Sequence, residues 1–128
     1  MRHPLALLTF ALLAGTASAQ PATAPFAVQE QNRSYSSLQD AVDSIGGGSG
    51  TILIAPGTYR ECAVQEAGRV AYVAREPGTV VFDGGICEDK AALVLGGRAA
   101  RVEGLIFQNM RVGDRNGAGI RIEQGDLS

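Results

Sequence analysis

The rhythm of apolar and polar positions changes once along the chain. Leu38, Ala41, Val42 and Ile45 recur at i, i+3, i+4 and i+7 and form one apolar stripe, which predicts an amphipathic helix over residues 37–45. Ser36 and Gln39 have the spacing of a capping box, and Asp40 sits in the early turns, where it complements the helix dipole. Gly46, Gly47 and Gly48 stop the helix. After it come short runs rich in Val and Ile: residues 51–55 (TILIA), 70–74 (VAYVA), 79–83 (TVVFD), 91–95 (AALVL), 101–107 (RVEGLIF) and 119–123 (GIRIE). Turn pairs separate them: Pro56-Gly57, Pro77-Gly78, Gly84-Gly85, Gly96-Gly97 and Asn116-Gly117. Each run reads as a strand. Phe26-Ala27-Val28 is a candidate first strand, and another begins near Gly125.

The connections carry no helical period, which excludes an ordinary βαβ sheet. An antiparallel sandwich and a β-solenoid remain. Several runs are apolar at nearly every position, unlike sandwich strands with one wet face. Ile54, Val73, Val94 and Ile120 mark a loose repeat, the pattern of stacked coils. The helix precedes the first coil, where an N-terminal cap belongs, and no equivalent cap follows the last run. The expected organisation is therefore a cap and first coils over residues 26–128, the N-terminal part of a longer protein.

Seventeen glycines and no Trp favour tight turns between short strands. Residues 1–19 read as a signal peptide. Arg2 and His3 form a positive start, residues 5–14 (LALLTFALLA) an apolar core, and Ala17-Ser18-Ala19 a small-x-small cleavage site. The apolar core is too short to span a bilayer, which takes about 20 apolar residues, and no later segment is apolar enough. Residues 20–25 (QPATAP) read as a linker. The expected location is secreted or periplasmic. Loss of Arg2 with the signal takes one charge from 11 Lys and Arg against 13 Asp and Glu, so nucleic acid is not an expected partner. The single histidine, His3, leaves too, which removes Ser-His, Cys-His and histidine-metal chemistry from the mature chain. Cys62 and Cys87 suit a disulfide in an oxidising compartment, with two buried thiols as the alternative.

These residues resemble a known superfamily. Residues 35–43 (YSSLQDAVD), then 50–61 (GTILIAPGTYRE), look like the opening of pectin-lyase-like proteins. Residues 79–84 (TVVFDG), 102–109 (VEGLIFQN) and 116–122 (NGAGIRI) resemble their stacked coils. The resemblance implies an all-β fold, a right-handed parallel β-helix (solenoid) with a short N-terminal capping helix. It implies much less about activity, because the superfamily holds pectate lyases, polygalacturonases, pectin methylesterases and non-catalytic surface proteins. Residues 57–61 (GTYRE) resemble the G-x-Y-x-E element of the methylesterases. That family's later glutamine has no counterpart at Gly117-Ala118-Gly119-Ile120, which argues against an esterase.

The resemblance also implies a substrate cleft beside loops that leave the coils. The loop 111–116 is the candidate. Asp114 could bind Ca²⁺ or a sugar hydroxyl, and Arg115 a uronate carboxylate, with Asn116 beside them. Arg121 and Glu123 alternate with Ile120 and Ile122 and should point outward on the next strand. A solvated loop and strand face is the plainer account of the same residues. Asn109 could belong to an asparagine ladder, as in that superfamily. Gly46 to Gly50 (GGGSG) has the wrong order and no lysine for a phosphate loop. Asn32-Arg33-Ser34 matches the N-glycosylation pattern. No catalytic pair of carboxylates and no metal set stands out. The expected function is action on, or binding of, polysaccharide or cell-surface glycan, as a lyase or hydrolase with its active site beyond residue 128. The alternative is a non-catalytic surface or adhesion module.

Overall fold

A computed structural model describes residues 24–128. The signal peptide and most of the linker read from the sequence lie outside the described residues. The chain begins with β1 (Phe26–Val28), a 3-10 turn (Gln29–Gln31), β2 (Arg33–Tyr35) and helix α1 (Leu38–Ile45). Then come β3 (Ser49–Ile54), β4 (Gly57–Tyr59), β5 (Ala63–Gln65), β6 (Arg69–Ala74), β7 (Val80–Asp83) and β8 (Ala91–Leu95). The last strands are β9 (Ala99–Glu103), β10 (Leu105–Gln108), β11 (Ala118–Ile122) and β12 (Asp126–Leu127).

The strands form three sheets. One has six strands in the order β12-β9-β6-β3-β1-β2, and two have three strands each, β10-β7-β4 and β11-β8-β5. Consecutive strands from β3 onward enter the three sheets in rotation, and each pairs in parallel with the strand three places along. At the edge, β1 runs antiparallel to both β2 and β3.

This arrangement corrects the fold class expected from the sequence. The described residues give three small, mostly parallel sheets with a single helix, none of them closed, an α/β-like domain rather than a clear right-handed β-helix solenoid. The repeat behind that expectation also fails in register. Ile54 stands opposite Ala74 rather than Val73, and Val94 lies in a different sheet, opposite Val64 and Arg121. Short apolar runs specify that a strand is buried but carry little information on which strand it meets, and a slip of one residue turns every side chain over.

Alternation does set the faces. In β3 and β6 every second residue is buried, which places Ile52, Ile54, Val70, Tyr72 and Ala74 inside. All of β8 is buried. Tyr59, Phe82 and Phe107 share one register position across β4, β7 and β10. With Phe26 they form an aromatic column whose centroids lie 5.2, 5.8 and 5.6 Å apart. Burying a ring such as Phe82 contributes about 1.5–3 kcal/mol. The run 101–107 is two strands rather than one. Gly104 turns the corner between β9 and β10 at φ +73°, and a Cβ there would lie 3.0 Å from the Pro77 backbone.

The helix begins one residue later than the expected box. Ser37 is its N-cap and accepts the Asp40 N–H at 3.1 Å, and Gly46 ends it at φ 57°. Gln39 is therefore free for another task. Its amide accepts the Val64 N–H at 2.7 Å and donates to the Val64 carbonyl at 2.9 Å. A side chain thus replaces the missing neighbour of edge strand β5. Glu30 does the same for β3. Both carboxylate oxygens accept the Thr51 N–H, at 2.9 and 2.7 Å, just beyond the point where β1 stops pairing. Burial alone would raise the Glu30 pKa, but this N–H holds it below its ordinary value.

Among the described residues one polar side chain, that of Gln65, is fully buried. Its Nε2 donates to the carbonyls of Ala67, Gly68 and Ala99 at 3.1, 3.2 and 3.0 Å, and its Oε1 accepts the Tyr72 hydroxyl at 2.9 Å. The pair ties β5 to β6 and β9 inside the core. Burial raises the Tyr72 pKa far above the ordinary phenol value, so the hydroxyl remains a donor.

Candidate functional site

Of the residues singled out from the sequence, Asp114, Asn116 and Arg121 are joined by hydrogen bonds, and Arg115 and Glu123 have no hydrogen bond to them. Asp114 accepts the backbone N–H of Asn116 at 2.9 Å and closes a local turn, while Arg115 sits exposed at φ 65°. Arg121 donates back to the Asn116 carbonyl at 3.1 Å. Glu123 points to a different neighbour, Lys90, at 2.8 Å, and Lys90 also reaches Glu88 at 3.3 Å. The Lys90 contact holds the Glu123 pKa below its ordinary value, and Glu123, then Glu88, raise that of Lys90. Among the described residues no three His, Cys, Asp or Glu side chains gather as a metal-ligand group.

A better-formed site lies one sheet away. β4, β7 and β10 end side by side, and the residues at their ends line a groove of about 440 Å³. Thr58, Tyr59 and Arg60 come from the first level, Asp83 and Gly84 from the second, and Asn109 and Arg111 from the third. The local sequence accounts for the assembly. Tyr59 and Phe82 are drawn inward, so Arg60 and Asp83, one residue on, face outward. Asn109 leaves β10 in the left-handed conformation at φ 57°, which brings its amide back over the sheet end.

Asp83 is the centre of the groove. Its carboxylate accepts from Asn109 Nδ2 at 2.8 Å and from Gln108 Nε2 at 3.1 Å. Asn109 first, then Gln108, and then the nearby Arg60 charge hold its pKa below the ordinary 3.8. Arg60 and Arg111 form no ion pair within 4.0 Å among the described residues. The groove therefore presents two available guanidinium groups and an ionised carboxylate fixed between them. Such a surface can hold an anionic group by a charge-assisted fork and accept a hydrogen bond from an adjacent hydroxyl.

Sequence reasoning passed over Arg60 and Asp83 as a turn and a strand end, though one signal was present. Cys62 and Cys87 are 25 residues apart, Asp83 and Gln108 also 25, and Asp83 and Asn109 26. Applied to the polar residues, the cysteine spacing pairs Asp83 with Gln108. Residues 57–61 also have a clear structural task. The Tyr59 hydroxyl donates to the Ala55 carbonyl at 2.6 Å, and Glu61 Oε1 accepts the Leu38 N–H at 3.0 Å at the start of α1.

No family model matches the chain, and no curated protein or solved structure matches it either. Among the described residues no helix is long and apolar enough to cross a membrane.

Proposed function

We propose that this is an exported, secreted or periplasmic protein that binds an acidic polysaccharide or cell-surface glycan through the groove at Arg60, Asp83, Asn109 and Arg111. One observation carries the proposal: two arginines without ion pairs among the described residues flank a single groove, with a hydrogen-bonded carboxylate between them. A chain with excess acid repels polyuronates at long range, but forked guanidinium contacts act at short range, where geometry decides. The resemblance of residues 35–43 and 50–61 to pectin-lyase-like proteins supports the same ligand class, and the N-terminal signal pattern supports the location.

Of the two modes open to such a protein, the groove's chemistry favours binding over hydrolysis. A glycoside hydrolase works with two carboxylates. Asp83 is the one carboxylate lining this groove among the described residues, and it is committed to two amides. The experiment is a calorimetric titration with a hexamer of galacturonate and with a neutral glucose hexamer. Binding of the acidic hexamer alone, weakened about tenfold by Arg60→Ala or Arg111→Ala, is the expected result. Equal binding of both hexamers, or release of shorter products, contradicts the reading.

A further inference from the structure

The groove is assembled from three levels of chain, and its two seams are fastened differently. Between the second and third levels, Asp83 is bound to Asn109 and Gln108. Between the first and second, no side-chain hydrogen bond among the described residues joins Arg60 to Asp83. Beyond the β4–β7 ladder and the Tyr59–Phe82 contact, which end before Arg60, the fastening there is covalent. Cys62, two residues after Arg60, is bonded to Cys87, four after Asp83, with their Cα atoms 5.5 Å apart.

The chain around this bond is packed to match. Gly85 is buried, and a Cβ at that position would lie 2.5 Å from the Glu61 carbonyl oxygen and 2.8 Å from the Arg60 carbonyl carbon. The loop after β7 thus rests directly on the Arg60–Glu61 peptide, an approach that a side chain forbids. Cys87 is itself held in a tight turn. Its N–H donates to the Ala91 carbonyl at 2.9 Å and its carbonyl accepts the Lys90 N–H at 3.0 Å, with Glu88 and Asp89 left-handed at φ 53° and 55°. On the other side, Glu61 is moored to the first amide of α1.

Resting on the groove reading above, we infer that the Cys62–Cys87 disulfide, with Gly85, is the positioning device for Arg60 in the ligand groove. The bond fixes the first level against the second and so sets the guanidinium beside Asp83. Arg111 belongs to the third level and is independent of it. The device acts through one arginine, and that makes it separable from a general effect on folding.

The test is a mutant cycle on the full chain, read by titration with the galacturonate hexamer and by amide hydrogen exchange. Cys62→Ala/Cys87→Ala is expected to weaken binding by the same factor as Arg60→Ala, about tenfold. It should add nothing when combined with Arg60→Ala, yet multiply the loss of Arg111→Ala. Gly85→Ala, which keeps the disulfide but displaces the Arg60–Glu61 peptide, should reproduce the loss and covers the case in which the cysteine pair fails to fold. Amide exchange should quicken at Leu38, whose N–H is held by the Glu61 carboxylate, and remain unchanged in β6. Unaltered binding in both variants overturns the inference, as does a loss that persists in full on the Arg60→Ala background. If the unmodified chain does not bind the hexamer, the groove reading fails by itself. Exchange then decides the positioning claim: faster at Leu38 supports it, unchanged overturns it.

Discussion

Two polar clusters join different levels of this chain, and they differ mainly in where they lie. Gln65 and Tyr72 meet inside the core, where both the Nε2 and the Oε1 of the Gln65 amide are hydrogen-bonded to protein groups. Asp83, Asn109 and Gln108 meet at the outer end of a sheet, with similar bond lengths, open to solvent. Hydrogen bonds of like geometry therefore serve different ends. In the interior the cost of leaving a partner unpaired is high, so the cluster fixes the fold. At the surface water can replace any partner, so the cluster contributes little to stability and is available to a ligand.

The largest break in this comparison is Gln65→Leu. It strands the Tyr72 hydroxyl in the core and takes a donor from the Ala67, Gly68 and Ala99 carbonyls, of which Gly68 keeps the Arg98 and Ala99 N–H groups, and an unpaired buried group costs about 1–3 kcal/mol before any relaxation. A loss of about 2–4 kcal/mol is expected, which a thermal melt would read as a fall of roughly 10 °C or more. Tyr72→Phe is milder. It removes one donor and leaves only the Gln65 Oε1 unpaired, for a loss of about 1–2 kcal/mol by chemical denaturation. If this variant matches Gln65→Leu, the cluster does not act through its three carbonyl bonds.

Next come the surface variants, which should invert the pattern. Asn109→Gly keeps the left-handed backbone while removing the amide, so it should weaken the acidic hexamer several-fold and leave the melting temperature close to that of the unmodified chain. Asp83→Asn should move the melting temperature less than Tyr72→Phe does. Its pH signature sharpens the point. The folded pKa of Asp83 lies below the ordinary 3.8, so its contribution is complete above that value and is lost as pH falls through the lower folded value. The unmodified chain should show this acid-side loss in a pH series of unfolding curves, and the Asn variant should lack it.

How much of this was legible in advance differs between elements. The helix was, because Leu38, Ala41 and Val42 face one way and all three are buried. Its cap was misplaced by one residue, since Ser36 and Ser37 both fit an N-cap and only the backbone geometry chooses Ser37. The strands at residues 51–55, 70–74 and 91–95 were legible as apolar runs. The three-residue strands β2, β4 and β5 were not, because a strand that short carries too few alternating positions to stand out. The pairing of strands was misread at Val94, which shares Val73's composition but not its sheet.

The site was the least legible part. A search for chemistry in the sequence is drawn to polar loops, and residues 111–116 carry two arginines, an aspartate and an asparagine in six positions. The structure uses Asp114 and Asn116 to close that loop on itself. The groove is built instead from single polar residues at the ends of three strands far apart in sequence. Arg60, Asp83 and Asn109 each look ordinary alone, and only the stacking of β4, β7 and β10 makes them neighbours.

The most direct test of the central claim is one titration of the galacturonate hexamer into the full chain, beside the Arg60→Ala/Arg111→Ala double variant with an unchanged melting temperature. The account predicts binding to the unmodified chain, no measurable binding to the double variant, and weakening with added salt as expected of charged contacts. Equal binding by the two proteins would contradict it and move the ligand to another face of the molecule.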